Sequence, residues 1–293
     1  MKGLYKLLRH TLAHPLNHKG RMAALLRVLR WQIGIRLLPV ECALPFVNGT
    51  QLLVKRGMTG ATGNWYCGLH EVAEMAFVLH ALRPGDLFVD VGANIGSYTV
   101  LAAGAVGADA IAVEPVPSTF NALRRNVCLN DLGHRVNCVN AGLGETEGEL
   151  RFTAGQDTTN HVLAQGEMGD AVLVRVQRLD ELCAERIPVV IKIDVEGYEQ
   201  AVIAGGGTTL ANEQVNAVIM ETNGSGQRYG WDEERLIETM RSFGFSTCAY
   251  DPFARRIQAA PPGTGNTLFV RDIATMQDHV AQAPRFQLVN GEI

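Results

Sequence analysis

The sequence lacks paired cysteines, long apolar runs and, over its first 40 residues, any acidic side chain. Its six cysteines are scattered with no C-x-x-C pair, which argues against a zinc site or a disulfide framework and favours a reducing compartment. No apolar run reaches the roughly 20 residues of a membrane-spanning helix, and we expect no secretory signal. With 47% apolar and 19% charged residues among 293, the chain is expected to fold, and a cytoplasmic location is expected.

The missing acids leave the N-terminal arm strongly basic. Residues 1–40 hold eight Lys or Arg, whereas the remaining 253 residues carry 18 basic and 30 acidic groups. Because that body is acidic, a nucleic-acid partner is not expected. Apolar residues recur in the arm at helical spacing, namely at Met22, Leu25, Leu26, Leu29, Ile33 and Leu37. This predicts an amphipathic helix ending at Pro39. Residues 1–38 then either pack on the main domain with their arginines in water, or attach to an anionic membrane surface or a partner.

Short apolar runs alternate with amphipathic segments over the rest of the chain. Continuous runs of this kind are typical of parallel strands that are buried on both faces. The predicted strands cover residues 51–55, 87–91, 110–113, 136–139, 189–193, 215–220, 245–250 and 267–270. The predicted helices cover residues 97–106, 118–130 and 232–243. The pattern predicts an α/β fold with helices on both faces of a mostly parallel sheet, and alternating segments at 149–153 and 172–178 predict an inserted antiparallel pair.

A glycine-rich turn follows the run at 87–91. Asp90, Gly92, Asn94 and Gly96 stand in the sequence FVDVGANIGSYT. A dinucleotide site needs a glycine where Asn94 stands, and an acid at Asp90 is unfavourable to a pyrophosphate. S-adenosylmethionine fits better, since it carries an amino group and a sulfonium and has no phosphate. The turn therefore predicts a nucleoside cofactor.

Two later strand ends extend this prediction. Glu114 stands 22 residues after Gly92, where a carboxylate accepts both ribose hydroxyls of a nucleoside. Asn140 ends the third run, and its amide is expected to contact the adenine edge. Together these positions strengthen a motif that would be weak by itself.

A second charged segment, VIKIDVEGYE, ends the run at 189–193. Lys192 would be a costly interior charge without a partner, so it either belongs to a site or pairs with an acid to join two strands. Asp194 and Glu196 lie where open α/β sheets bind their ligands, and Gly197 permits a sharp turn. The next strand ends in Glu221-Thr-Asn223 at the same edge of the sheet.

The segments FVDVGANIGSYT, AVEP and IKIDVEGYE, with TGNWY upstream, resemble the FkbM family of S-adenosylmethionine-dependent methyltransferases. The resemblance runs from about residue 59 to residue 270. It implies the class I methyltransferase fold, which has a Rossmann-like sheet of seven strands with the last antiparallel. It also implies methylation of oxygen on sugars, glycans, glycolipids or natural products. The chain would divide into a helical and small-strand extension (1–58), a methyltransferase domain (59–272) and a tail (273–293).

The resemblance and the strand ends together define the expected site. The expected cofactor contacts are Asp90, Gly92, Ala93, Asn94, Gly96, Glu114, Pro115, Asn140, Ala141 and Tyr66. At the active edge we expect Lys192, Asp194 and Glu196. Asp194 is the candidate general base, because a hydroxyl is a poor nucleophile at neutral pH. His161 is a weaker candidate base.

Three alternatives stay open. Asp194 with Glu221 or Asn223 would hold a divalent cation such as Mg²⁺, which lowers the pKa of a hydroxyl. A nicotinamide-dependent oxidoreductase is a second alternative, although Asn94 and Asp90 argue against it. A catalytically silent binding protein on the same fold is the third, although it should show a degraded cofactor turn.

Overall fold

An eight-stranded central sheet with helices on both faces forms the protein. The computed structural model describes residues 2–38, 40–153, 160–164, 166–167 and 169–293. Along the strands, successive side chains belong alternately to two clusters of buried apolar residues. Phe88 and Ile219 belong to one cluster, and Val89 and Val218 belong to the other. Because side chains alternate across a strand, the two clusters cover opposite faces of the sheet. The expected α/β architecture is confirmed.

The predicted strands and helices all occur in the predicted order, together with elements that the sequence did not predict. The strands are β1 (Cys42–Pro45), β2 (Gln51–Val54), β3 (Leu87–Val91), β4 (Asp109–Val113), β5 (Val136–Val139), β6 (Gly142–Leu143), β7 (Gly148–Thr153), β8 (Ala171–Gln177), β9 (Val190–Ile193), β10 (Ala217–Glu221), β11 (Ser246–Asp251), β12 (Arg256–Ala259), β13 (Asn266–Val270), β14 (Gln287–Leu288) and β15 (Gly291–Glu292). The α-helices are α1 (Lys2–Ala13), α2 (Arg21–Leu37), α3 (Thr59–Cys67), α4 (Val72–Ala81), α5 (Ser97–Val100), α6 (Pro117–Leu129), α7 (Leu179–Leu182), α8 (Glu199–Ala204), α9 (Gly207–Ala211), α10 (Glu233–Ser242) and α11 (Ile273–Ala281). Short 3₁₀ turns at Pro15–Asn17 and Ser225–Tyr229 and a π-helical segment at Leu101–Val106 complete them.

The central sheet has the order β12-β11-β13-β10-β9-β3-β4-β5. Strands β5, β4, β3, β9 and β10 run parallel, and β13 is antiparallel to both of its neighbours, β10 and β11. The order reverses between β3 and β9, so a crevice opens at the carboxyl ends of these two strands, where ligands of such sheets bind.

The eighth strand corrects the expectation of seven. Strand β12 pairs antiparallel with β11 at the edge of the sheet. The Asp251 carboxylate accepts hydrogen bonds from the backbone N–H groups of Phe253 and Ala254, and Arg255 has a positive φ of 49°. This turn reverses the chain direction and allows β12 to pair with β11. The strand β12 was not predicted, because its sequence is short and largely polar.

The inserted antiparallel pair is confirmed. Strands β7 and β8 are antiparallel, and β6 joins β8 in parallel to give a three-stranded sheet. The short strand β6 was not predicted, because two residues carry no periodicity.

Helix α2 packs on the domain with the side opposite to the apolar face that the spacing marks. Its buried residues are Ala24, Arg27, Val28, Trp31 and Ile35. Leu29 and Ile33 of the marked face are exposed, and Arg27 is buried. The alternative in which the helix packs with its arginines in water is therefore wrong for Arg27, because α2 is apolar on two faces and spacing alone does not say which face meets the domain. Pro39, the predicted end of the helix, lies outside the described residues.

The N-terminal extension and the C-terminal tail share one core with the sheet. Trp31 and Ile35 belong to the same buried cluster as Phe88, and so do Met276 and Phe286. Asn290 of the tail donates to the backbone oxygens of Leu16 and Cys67. The domain boundaries at 58 and 272 stay predictions. None of the helices in the described residues has the length and apolar character that crossing a membrane requires.

Candidate active site

A pocket with a volume of about 280 Å³ lies where β3, β4, β9 and β10 end. Ten of the residues singled out in the sequence line it. They are Asp90, Gly92, Ala93, Asn94, Glu114, Pro115, Lys192, Asp194, Glu196 and Glu221. They come from four separate segments, which meet because the carboxyl ends of parallel strands share one edge of the sheet.

The glycine turn is shaped by the neighbouring strand. Gly92 has a φ of +79°, and a Cβ there would lie 1.8 Å from the backbone oxygen of Asp194, so any side chain would collide. Asn94 adopts a left-handed φ of 52°, which asparagine tolerates better than most residues. Gly96 precedes α5 with a φ of +88°, and a Cβ there would lie 2.5 Å from Leu123. Gly96 therefore supports the turn from behind and is not part of the pocket lining.

The buried carboxylate of Glu114 ties the glycine turn to the end of β4. Its Oε2 accepts from the backbone N–H of Asn94 at 3.0 Å, and its Oε1 accepts from that of Val116 at 2.9 Å. Burial raises the pKa of Glu114 to about 7, and the two backbone hydrogen bonds oppose this shift. Each carboxylate oxygen still has a second lone pair, so Glu114 can accept two hydroxyls as well.

Asp90 presents a buried oxygen without a donor. Thr99 Oγ1 donates to its Oδ2 at 2.6 Å, whereas no described residue donates to Oδ1. Burial raises the pKa of Asp90, and the nearby Lys192 opposes that shift. A buried acceptor that lacks a donor is costly, and an ammonium group entering the pocket would satisfy it.

Lys192 is a buried cation at the centre of the pocket. Its Nζ donates to Asp194 Oδ2 at 2.6 Å and lies 4.8 Å from the centre of the Tyr98 ring. Burial opposes its charge, but the carboxylates of Asp194 and Glu71 raise the pKa of Lys192 above its usual value. Lys192 therefore keeps its charge and orients the Asp194 carboxylate.

Three acids crowd the edge of the pocket beyond Lys192. Oxygen atoms of Asp194, Glu196 and Glu221 all lie within 4.8 Å of one another. Burial, followed by the charges of Asp194 and Glu196, raises the pKa of Glu221 to about 9. Burial and the crowding of the three carboxylates therefore favour the protonated form of Glu221. Asn223, proposed as a metal ligand, lies outside the pocket lining, and its Oδ1 accepts from the backbone N–H of Ser225 at 2.8 Å.

Glu199, a functional residue that the sequence pattern does not identify, fixes the turn that carries Glu196. Its Oε1 accepts from the backbone N–H groups of Val195 and Gly197, both at 3.1 Å. Gly197 has a φ of +102° and lies against the backbone of Ser225, which confirms the sharp turn. Burial raises the pKa of Glu199 to about 7. The acid was visible in the motif, but its inward direction was not.

The structure places Tyr66 and His161 away from the pocket lining. The Tyr66 hydroxyl accepts from Gln32 Nε2 at 3.1 Å, so this ring faces α2. His161 is buried, and its Nε2 lies 3.0 Å from Glu167 Oε1. Residues 157–159 of the loop that was expected to present His161 lie outside the described residues, whereas Asn160 lines the pocket.

Asn140 and Ala141 lie beside the pocket. The Asn140 amide donates to the backbone oxygens of Glu114 and Pro115, at 2.8 and 2.9 Å. Ala141 lines a small adjoining cavity together with Gly92 and Pro115. Asn140 therefore supports the loop after β4, and its amide nitrogen is already used.

One acid of the pocket was missed. Glu71, in the link between α3 and α4, accepts from the Tyr98 hydroxyl at 2.7 Å and from Asn266 Nδ2 at 3.2 Å. No motif marks Glu71, since a single acid between two helices is ordinarily solvated. It reaches the pocket only because α3 and α4 fold over the end of the sheet.

These residues fit S-adenosylmethionine on structural grounds. The unpartnered Asp90 Oδ1 suits its amino group, and the Glu114 carboxylate suits ribose hydroxyls. The turn has Asn94 where a dinucleotide site needs a glycine, and the carboxylate of Asp90 is unfavourable to a pyrophosphate. The pocket therefore suits a cationic nucleoside better than a dinucleotide.

The chain matches a family model over residues 90–247, a range that contains every acid of the pocket except Glu71. The description of that family is the methyltransferase FkbM domain. The match begins at Asp90 and includes the segments that carry Glu114, Lys192 and Asp194.

Two curated relatives carry methyltransferase names. A hexuronic acid methyltransferase, AglP, of Haloferax volcanii is 31% identical over 150 residues, covering 49% of this chain and 59% of the relative. A 31-O-demethyl-FK506 methyltransferase, FkbM, of Streptomyces tacrolimicus is 31% identical over 159 residues, covering 42% of this chain and 60% of the relative. The chain thus spans about three fifths of the length of these relatives.

Solved structures give more distant likenesses. A precorrin-6y C5,15-methyltransferase of Geobacter metallireducens has a TM-score of 0.42 and 12% identity, covering 69% of this chain and 88% of that one. A TehB-like SAM-dependent methyltransferase of Corynebacterium glutamicum has the same TM-score, 0.42, and 12% identity, covering 72% of this chain and 94% of that one. The fold assignment rests on the strand order and not on these likenesses.

Proposed function

Because this chain belongs to the FkbM family of methyltransferases, we propose that it transfers a methyl group from S-adenosylmethionine to a hydroxyl group of a sugar, glycan, glycolipid or natural product. One observation carries the proposal. A single pocket joins a cofactor side, at Asp90 and Glu114, to a chemical side, at Lys192 and Asp194. The names of the two relatives, one for a sugar acid and one for an O-demethyl natural product, support this acceptor class.

The cofactor side of the pocket would hold the donor by its polar ends. Asp90 Oδ1 would accept from the amino group, and Glu114 would accept from the ribose hydroxyls. When bound, S-adenosylmethionine supplies an electrophilic methyl group on a positively charged sulfur. The surplus of carboxylates around the pocket favours a cationic ligand over an anionic one.

Asp194 is the proposed general base. Its Oδ2 is held by Lys192 at 2.6 Å, which leaves Oδ1 to face the acceptor. The acceptor oxygen would bond to the methyl carbon as the sulfur–methyl bond breaks and S-adenosylhomocysteine leaves, and the proton of the acceptor hydroxyl would pass to the Asp194 carboxylate. Fixing the base and the acceptor in this geometry contributes to the rate, since positioning lowers the barrier. His161 is the weaker candidate base, because its ring already contacts Glu167.

The three acids can be relieved of their mutual repulsion by a proton or by a metal ion. A proton on Glu221 is the proposed arrangement, because burial and two neighbouring carboxylates raise its pKa to about 9. Mg²⁺ bound by Asp194, Glu196 and Glu221 is the alternative. A chelator separates the two, since it should leave methyl transfer unchanged if the proton arrangement holds and should abolish it if Mg²⁺ is required.

A cytoplasmic setting is part of the proposal. The six cysteines are all free, which suits a reducing compartment. Three of the six are buried, and the other three are partly or fully exposed.

Methyl transfer from deuterium-labelled S-adenosylmethionine to glycan and glycolipid extracts tests the proposal, with the mass of the products as readout. Asp194→Asn should reduce turnover about 100-fold or more, because it removes a general base. It should bind S-adenosylhomocysteine within about threefold of the wild type by calorimetry. If the wild type does not bind S-adenosylhomocysteine, the proposed function fails. If Asp194→Asn retains turnover, only the assigned base fails.

A further inference from the structure

Helix α2 is apolar on two opposite faces. One face packs against the domain through Val28, Trp31 and Ile35. The other face forms an apolar stripe, which consists of Met22, Leu26, Leu29, Ile33 and Leu37. These five positions are four, three, four and four apart, so they share one side of an α-helix.

The apolar stripe is open to solvent. Its five side chains are between 49% and 75% exposed, and Leu38 and Val40 continue the exposed apolar surface beyond the helix. Single exposed leucines are ordinary, but a continuous stripe along 17 residues of helix is not. Such a surface is typical of a site that binds a protein partner or a membrane.

Exposed basic side chains accompany the apolar stripe. Six basic side chains of the N-terminal region are exposed, namely Lys6, Arg9, Lys19, Arg21, Arg30 and Arg36. At 100° per residue, Arg30 and Arg36 fall on either side of the stripe. No acid occurs in residues 1–40. The surface therefore combines an apolar centre with a cationic border.

We propose that the apolar stripe of α2 docks on an anionic lipid bilayer, with the helix lying in the plane of the interface. An amphipathic helix with basic residues beside its apolar face binds in this way. A second copy of the chain fits less well, because a symmetric contact would bring the arginines of both stripes together without any acid to pair them. A bilayer supplies both the apolar interior and the negative charge.

The acidic residues beyond position 40 would orient the protein on an anionic membrane. The residues beyond position 40 carry 18 basic and 30 acidic groups, so an anionic surface repels them and attracts the N-terminal helices. Each Lys or Arg close to such a surface strengthens binding about fivefold.

Co-sedimentation of the full chain with vesicles tests the proposal without any methyl acceptor. Vesicles of phosphatidylglycerol and phosphatidylcholine are compared with pure phosphatidylcholine, at low and at high salt. We expect binding to the anionic vesicles at low salt and at least about a tenfold weakening at high salt, since charge attraction is screened. The double variant Leu29→Glu with Ile33→Glu should weaken binding at least about tenfold, because it places charge in the stripe.

Two exposed apolar residues elsewhere provide the matched control. Leu173 is 62% exposed and Phe253 is 60% exposed, so Leu173→Glu with Phe253→Glu makes the same chemical change away from α2. This control should bind like the wild type, and circular dichroism should show both double variants folded. Arg30→Glu should weaken binding more than Arg241→Glu, which changes an exposed arginine of α10.

The proposal is overturned if the wild type ignores anionic vesicles at low salt, or if the stripe variant binds as well as the control. It is also overturned if light scattering shows a dimer that the stripe variant abolishes while vesicles leave the wild type in solution. None of these outcomes touches the proposed methyl transfer, because cofactor binding is measured separately.

Discussion

The N-terminal helices and the strand-end pocket each bury one cation. The first cation has neutral hydrogen-bond acceptors, whereas the second is paired with a carboxylate. Arg27 donates to the side-chain oxygen of Asn17 at 2.8 Å and to the backbone oxygen of Tyr66 at 2.9 Å, and both acceptors are neutral. Lys192 donates to the Asp194 carboxylate at 2.6 Å and lies near Asp90. Burial lowers the pKa of Arg27, whereas the acids around Lys192 raise its pKa despite burial.

This difference in partners distinguishes a cation that holds helices together from a cation that belongs to a binding site. Around Arg27 the neutral acceptors join α2 to the 3₁₀ turn and to α3, and no carboxylate of the described residues forms an ion pair with Arg27. Around Lys192 the acids outnumber the cation, and Asp90 Oδ1 and Glu221 Oε2 have no donor among the described residues. A cationic group that enters the pocket would give Asp90 Oδ1 the donor that it lacks.

Lys192→Met should give the largest loss of stability. Removing one partner of a buried ion pair leaves the others uncompensated, at a cost of about 3–5 kcal/mol. Urea unfolding measures the change in the free energy of unfolding. The double variant Lys192→Met with Asp194→Asn should recover part of the loss, because it also removes the stranded charge. If Lys192→Met lost no more stability than Arg27→Met, the two buried cations would not differ in the way proposed.

Glu114→Ala should weaken binding of S-adenosylhomocysteine about 10- to 100-fold, since hydrogen bonds to a charged group contribute roughly 1.5–3 kcal/mol. Calorimetry gives the affinity. Glu213→Ala changes an exposed acid elsewhere and is the matched control. Unchanged affinity in the Glu114 variant would mean that this carboxylate only ties the glycine turn to β4.

Arg27→Met should cost about 1–3 kcal/mol, because it leaves buried neutral acceptors without a donor and adds no stranded charge. Affinity for S-adenosylhomocysteine should stay within about threefold of the wild type. Urea unfolding and calorimetry measure the two quantities. A large loss of affinity would show that the N-terminal helices and the pocket are not independent.

The two regions should respond to pH in opposite directions. Burial, followed by the nearby His10, lowers the pKa of His14 from 6.5 to about 4, so its contribution is present above pH 6.5 and is lost as the pH falls toward 4. Burial raises the pKa of Glu114 and of Glu199 from 4.5 to about 7, so their contribution is present below pH 4.5 and is lost as the pH rises through 7.

Hydrogen exchange, corrected for the intrinsic rate, measures this last and smallest effect. Protection of α1 and α2 should fall on acidification from pH 6.5 toward 4, and protection of the loops after β4 and β9 should fall as the pH rises from 4.5 to 7. Loss of protection in both regions at the same end of the pH range would contradict the comparison.

Much of the pocket could be predicted because its residues lie next to strand ends. Asp90, Glu114 and Asp194 follow or end short apolar runs, and parallel strands bring such ends to one edge. Glu71 could not be found in this way, since only the packing of α3 and α4 brings it there. Tyr66 stood in a motif that pointed to the pocket, yet its hydroxyl faces α2 and Gln32.

The sequence by itself determined the α/β order, the glycine turn and the acid-rich strand ends, because periodicity and turn chemistry are local properties. The tertiary structure decided which face of α2 meets the domain, which acids share one pocket and which oxygens are left without donors. These depend on contacts between residues far apart in the chain, as between Arg27 and Tyr66. An apolar helix face looks the same in the sequence whether a domain covers it or solvent does.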